Sequence, residues 1–181
     1  MDKYFTQLPL QLDMIDTSKL ITTPRRAFNN RTYYSAIENP EYQEYLNIFK
    51  DLKFRDVSWC EFPGAWPHID HDDSKCAINH YYVTQNVETV YYKTKPGAQP
   101  FQGIEEESSC FFNKEDIIED AKFCAESGSL WLLDVTKIHS LEFPCEFGPL
   151  RTFVKWRFDT SYEEVYDRLF NELLPKLNKQ S

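Results

Sequence analysis

The sequence predicts one mainly β domain, a compact barrel or sandwich with helices flanking it at both ends of the chain. Three observations carry that expectation. Aromatic residues make up 16% of the chain, with 14 Phe, 11 Tyr and 4 Trp, and such side chains suit a pleated, half-buried surface. Short apolar or alternating runs bounded by Pro, Gly, Asn and Asp recur from about residue 57 to 158. A length of 181 residues is enough for one substantial core and too short for two. Apolar residues at 41% exclude intrinsic disorder as the main state.

The first thirty-odd residues read as an irregular or strand-containing lead, with Pro9 and Pro24 limiting any helix. Asn39-Pro40 then offers a cap and a first-turn proline, and Tyr42, Tyr45, Leu46 and Phe49 follow at helical spacing. This predicts a helix of about three turns over 39–52. Val57 to Phe62 reads as a strand, Pro63-Gly64 as a turn, and Trp66 to Asp70 as the extended segment that the turn delivers. Cys76 to Val83 and Thr89 to Lys93 are the next strand candidates. The stretch from Pro96 to Ser109 is loop-like and acidic at Glu105-Glu106-Glu107. Asn113 can cap a helical turn through Ile118, and strands follow at Ala121–Ala125, Leu130–Val135 and Leu150–Phe158. A closing helix over 161–174 is announced by the capping box Ser161-x-x-Glu164, with Tyr162, Val165, Tyr166, Leu169, Phe170 and Leu173 on one face. The expected domain is therefore 1–181, its motif-bearing core about 57–158.

Twenty-nine acidic against twenty basic residues give a formal net charge of -9, which repels a phosphate backbone. Arg25-Arg26 is the one adjacent basic pair with a claim to offset that field, so no nucleic-acid partner is expected. No apolar run reaches the roughly 20 residues of a membrane-spanning helix, and the start Met1-Asp2-Lys3-Tyr4 lacks the plan of a secretion signal. Cys60, Cys76, Cys110, Cys124 and Cys145 form no Cys-x-x-Cys pair and read as buried small hydrophobes in a reducing compartment. The expected location is cytoplasmic.

The chemistry concentrates in His68-Ile69-Asp70 and in His139, about seventy residues later. In an extended segment His68 and Asp70 point to one side, Ile69 and His71 to the other. A third ligand has to come from another strand. His139 follows the apolar run Leu130–Val135, and a histidine at the end of such a strand closes the site. Two imidazoles and a carboxylate are the set that holds ferrous iron on one face and leaves the opposite face open. His71 and His80 have no in-phase acidic partner and read as ordinary surface or core histidines. A calcium loop starting at Asp70 fails for want of glycine at its sixth and glutamate at its twelfth position. A zinc site from His68, His71 and His80 would need side chains out of phase on one strand to converge. Trp59, Trp66, Tyr81, Tyr82, Tyr91 and Tyr92 are candidates for a pocket lining, but aromatics at strand spacing are more often core.

Arg151 lies twelve positions beyond His139. The order His68-x-Asp70, His139, Arg151 resembles the iron(II)- and 2-oxoglutarate-dependent oxygenases. Phe62-Pro63-Gly64 before the site and Cys76-Ala77-Ile78-Asn79 after it are similar to the small aspartyl/asparaginyl hydroxylase-like members of that superfamily. The resemblance covers roughly Trp59 to Phe158. It implies a double-stranded β-helix (jelly-roll, cupin-like), Fe(2+) on His68, Asp70 and His139, and 2-oxoglutarate held by Arg151 with Asn79 as a further polar contact. It also implies a dioxygenase that hydroxylates a small-molecule or peptide substrate with O2, leaving succinate and carbon dioxide. A planar guanidinium binding a carboxylate through two parallel hydrogen bonds agrees with the role of Arg151. Strand alternation puts Lys155 and Arg157 on the same face, as fallback anchors. Phe153 stands where many relatives have serine, and the 139–151 connection, with Pro144, Cys145 and Pro149, is longer than in some. A cupin-like metal-binding module without 2-oxoglutarate chemistry is the alternative, and a non-catalytic interaction domain a third.

Overall fold

The computed structural model describes residues 3–16, 24–28, 31–34, 42–62, 64–70, 73–84, 86–102, 109–142 and 151–177. The chain runs through β1 (Phe5–Gln7), β2 (Pro24–Phe28), β3 (Arg31–Tyr34), α1 (Gln43–Leu46), β4 (Asp56–Phe62), β5 (Ala65–Asp70) and β6 (Cys76–Val83). It continues through β7 (Glu88–Thr94), β8 (Phe101–Gln102), β9 (Ser109–Phe111), β10 (Ile117–Cys124), β11 (Leu130–Asp134), β12 (His139–Glu142) and β13 (Arg151–Phe158). Two short helices, α2 (Tyr162–Arg168) and α3 (Leu174–Leu177), follow. The strands form two antiparallel sheets, of order β1-β11-β6-β13-β4-β3-β2 and β10-β7-β12-β5-β9-β8. The expectation of a mainly β architecture with helical support holds.

Alternation explains the layering. Along β13, Val154, Trp156 and Phe158 point to one side of the seven-stranded sheet and Arg151, Phe153, Lys155 and Arg157 to the other. The first set joins Trp59, Ile78, Leu132, Phe49 and Leu169 in a core between that sheet and the helical segments. Trp156 is fully buried there, and its indole Nε1 donates to the Leu46 carbonyl at 3.0 Å. The opposite face builds a second core with the six-stranded sheet, where Cys60, Phe62, Tyr81, Leu133 and Phe153 meet Tyr91 and Phe123. The inner space between the two sheets is where the chemistry-bearing residues project.

Several elements differ from the sequence-based expectation. The segment expected as a three-turn helix is one α-helical turn, α1, continued as a 3-10 helix over Asn47–Leu52; the expected cap at Asn39-Pro40 lies outside the described residues. The cap of the closing helix is as expected, with the Glu164 amide donating to Ser161 Oγ at 3.3 Å. That helix widens to a π turn over Leu169–Leu173, just before Pro175, which has no N–H to continue an α ladder. The Pro96–Ser109 stretch is not all loop, since Phe101 and Gln102 pair with β9. Ile117 and Ile118 belong to β10, leaving a 3-10 turn of Lys114–Asp116 alone after Asn113. Of the cysteines expected to be buried, Cys60 and Cys76 are, Cys110 is half-buried and Cys124 is exposed; Cys145 lies outside the described residues. No described helix is long and apolar enough to cross a membrane.

Candidate metal centre

His68 and His139 are direct cross-strand partners in the six-stranded sheet, on β5 and β12. Their ring centroids are 4.5 Å apart. Asp70, two residues beyond His68, projects to the same face, as period two requires. One ligating atom from each of the three lies within 4.8 Å of the other two. The spacing reasoning for His68 and Asp70 therefore describes the geometry. The expected route for His139 does not. The apolar strand before it, β11, belongs to the seven-stranded sheet, and the chain crosses to the other sheet over 135–138 before His139 opens a strand of its own.

The hydrogen bonds of the two imidazoles define what their free nitrogens can do. His68 Nδ1 donates to the Trp66 carbonyl at 2.7 Å and His139 Nδ1 to the Lys137 carbonyl at 2.9 Å. A carbonyl oxygen only accepts, so Nδ1 carries a proton in both rings and Nε2 is the nitrogen left to face the site. His68 Nε2 lies 3.2 Å from Asp70 Oδ1, a contact that either a proton on Nε2 or a cation between the two satisfies. Backbone-anchored Nδ1–H groups are the usual orienting contacts of metal-bound histidine. The donor set, two imidazole nitrogens and a carboxylate, suits iron and related divalent metals.

Electrostatics keeps the ligands in the right protonation states. Burial pushes His139 down to about 4, aided by the neighbouring His68, so it is neutral at pH 7. For Asp70 burial acts upward, but the Lys155 ammonium, the His68 hydrogen bond and the two imidazoles outweigh it and hold the carboxyl well below its usual range. Lys155 reaches across from β13 to Asp70 Oδ2 at 2.9 Å, leaving Oδ1 toward His68.

Arg151 is fully buried. It spans the inner space from β13 to β7, where its Nη1 donates to Thr89 Oγ1 at 2.7 Å, and its guanidinium carbon lies 4.2 Å from the Tyr81 ring centroid. Its Nε and Nη2 have no hydrogen-bond partner, and neither do Asn79 Oδ1 and the Tyr91 hydroxyl. Asn79 Nδ2 donates to the Tyr81 hydroxyl at 3.0 Å. Thr89 and Tyr91 share a face of β7, about 7 Å apart along the strand, and the Tyr91 ring lies 5.7 Å from that of His139. Tyr91 and Thr89 thus carry one inner face of β7 from the neighbourhood of His139 to the guanidinium. The fallback cations are committed elsewhere: Lys155 to Asp70, and Arg157 to Asp56 through bonds of 2.6 and 2.8 Å.

His80 sits on the other face of the seven-stranded sheet, its Nδ1 2.7 Å from the Tyr45 hydroxyl, so it shares no site with His68. His71 lies outside the described residues. Sequence reasoning missed Thr89, although its parity with Tyr91 on β7 was a usable signal, and it kept Lys155 as a fallback cosubstrate anchor without foreseeing its pairing with Asp70. Comparison with known protein families finds no matching family model, and comparison with curated proteins finds no match either.

Proposed function

We propose that this chain is an iron(II)- and 2-oxoglutarate-dependent dioxygenase, an oxidoreductase that hydroxylates its substrate on a double-stranded β-helix of the jelly-roll, cupin-like kind. The observation that carries the reading is Arg151: a buried guanidinium with no carboxylate partner and two unsatisfied nitrogens, in the same inter-sheet space as His68, Asp70 and His139. A buried charge without a counter-charge is costly, and an anionic ligand removes that cost. The two open N–H groups suit a bidentate carboxylate, and Asn79 Oδ1 and the Tyr91 hydroxyl are further buried polar atoms without a partner.

His68, Asp70 and His139 would hold the iron, and Arg151, with Asn79, the distal carboxylate of 2-oxoglutarate. Iron, when bound, supplies the activation of O2 that couples oxidative decarboxylation of the cosubstrate to oxidation of a substrate C–H bond. The residues of the chain orient these groups. The Trp66 and Lys137 carbonyls fix the imidazole rings, Lys155 fixes the Asp70 carboxylate, and Thr89 and Tyr81 fix the guanidinium plane. A cytosolic, reducing setting fits Cys60, Cys76, Cys110 and Cys124, none of which forms a disulfide among the described residues.

The test is an anaerobic titration of 2-oxoglutarate into the ferrous protein, read by the visible charge-transfer absorption of the chelate. Wild type is expected to develop the band; Arg151→Met, which removes the charge at similar volume, is expected to need at least about tenfold more cosubstrate. Iron bound without any band contradicts the oxygenase reading and favours a cupin-like metal-binding module.

A further inference from the structure

The carboxylate of Asp70 divides its two oxygens between the two sheets. Oδ1 lies 3.2 Å from His68 Nε2 on its own strand, and Oδ2 lies 2.9 Å from the Lys155 ammonium, which reaches over from β13. The two side chains of that ion pair are only 13% and 16% exposed. In the seven-stranded sheet Lys155 stands in register between Asn79 of β6 and Ser58 of β4. Both are buried and uncharged, so neither register neighbour offers a counter-charge in place of Asp70. Two residues further along the same face of β13, Arg157 holds Asp56 through two bonds.

A lysine ammonium is a point charge that engages one oxygen, whereas the fork of an arginine takes both. A carboxylate in turn binds a metal ion through one oxygen or through two. Because Oδ1 and Oδ2 face different partners, an ion held by His68, His139 and Oδ1 leaves the Lys155 pair standing. Breaking that pair would strand a buried ammonium, which is costly.

We propose that Lys155 is a positioning residue that reserves Asp70 Oδ2 and so limits His68, Asp70 and His139 to one donor atom each. The inference rests on the metal-binding part of the proposed function. A divalent ion of this kind takes about six ligands, so three donor atoms leave about three positions open. That is enough for a cosubstrate chelating through two atoms and for one further ligand. An Asp70 that used both oxygens would fill one of those positions. Lys155 therefore sets how much room the site keeps.

Water-proton relaxation of the Mn2+-loaded full chain, without cosubstrate, counts the exchangeable waters on the ion. Wild type is expected to hold about three and Lys155→Met about two. The variant is also expected to bind Mn2+ at least about tenfold more tightly, since Oδ2 becomes a ligand and the repulsion of the ammonium is gone. Infrared difference spectra of the wild type with 13C-labelled aspartate, with and without Mn2+, give the answer independently of how the variant folds. The two carboxylate stretches are widely separated for binding through one oxygen and close together for binding through two. About two waters on wild type, a narrow separation, or the same water count in Lys155→Met overturns the role of Lys155 and leaves the metal site standing. A wild type that takes no Mn2+ overturns the metal reading and this inference with it.

Discussion

The two faces of β13 follow opposite rules. Outward, Val154, Trp156 and Phe158 are buried among apolar side chains, and the one indole N–H of the group finds a carbonyl. Inward, three cations project into the space between the sheets, and four of the five partnerless buried polar atoms among the described residues lie there: Asn79 Oδ1, Tyr91 OH and two nitrogens of Arg151. Native interiors leave few such atoms, and each one calls for an explanation. The outer layer leaves one such atom, His80 Nε2; the inner layer leaves four, which a ligand would satisfy.

Removing the key side chain on each face separates the two layers most sharply. Trp156→Ala empties a fully buried site and is expected to cost about 3–5 kcal/mol of stability in chemical denaturation. Arg151→Met deletes a buried charge that no carboxylate compensates, so folding is expected to be unchanged or slightly stabilised while cosubstrate binding falls. Equal destabilisation by both would erase the distinction.

Lys155→Met probes a pair within the inner layer. In the metal-free protein it leaves Asp70 without its nearest cation, with an expected loss of about 3 kcal/mol. A divalent metal supplies the missing charge, so Mn2+ should raise the melting temperature more in Lys155→Met than in wild type. A smaller rise would show that Lys155 does not stand in for the metal charge.

The smallest expected effect is shared by both layers. Burial lowers His80, outside, and His139, inside, from 6.5 to about 4. As pH falls from about 6.5 to 4 the unfolded chain takes up protons that the folded one does not, so stability declines through that window. Asp70, held well below its usual range, keeps its contribution there and loses it only at lower pH. Chemical denaturation across that window is expected to show the decline, and His80→Gln should flatten it by about half. A profile unchanged by His80→Gln would contradict the assignment to a buried neutral imidazole.

What the sequence discloses follows the range of the interaction. Period two relates His68 to Asp70 within one strand, and Cys76–Val83 is a strand of the expected bounds, because a local pattern decides both. His139 stands out in the sequence as a candidate ligand but not as the first residue of β12, since the apolar run before it gives no sign that the chain changes sheets. The Lys155–Asp70 pair spans 85 positions, and Phe101 and Phe111 meet only through the pairing of β8 with β9. The 3-10 continuation of α1 and the π turn before Pro175 are local, yet tertiary packing of Leu46, Phe49 and Leu52 overrides the helical spacing in the first.

The account's central claim is that the His-Asp-His group and Arg151 are one site. Calorimetric titration of 2-oxoglutarate into the protein with and without Mn2+ tests it most directly. One site predicts cosubstrate binding that is tightened by the metal, with 2-oxoglutarate tightening Mn2+ by the same factor, and both effects lost in Arg151→Met. Binding of 2-oxoglutarate that is indifferent to the metal, or metal binding with no response to 2-oxoglutarate, would contradict it.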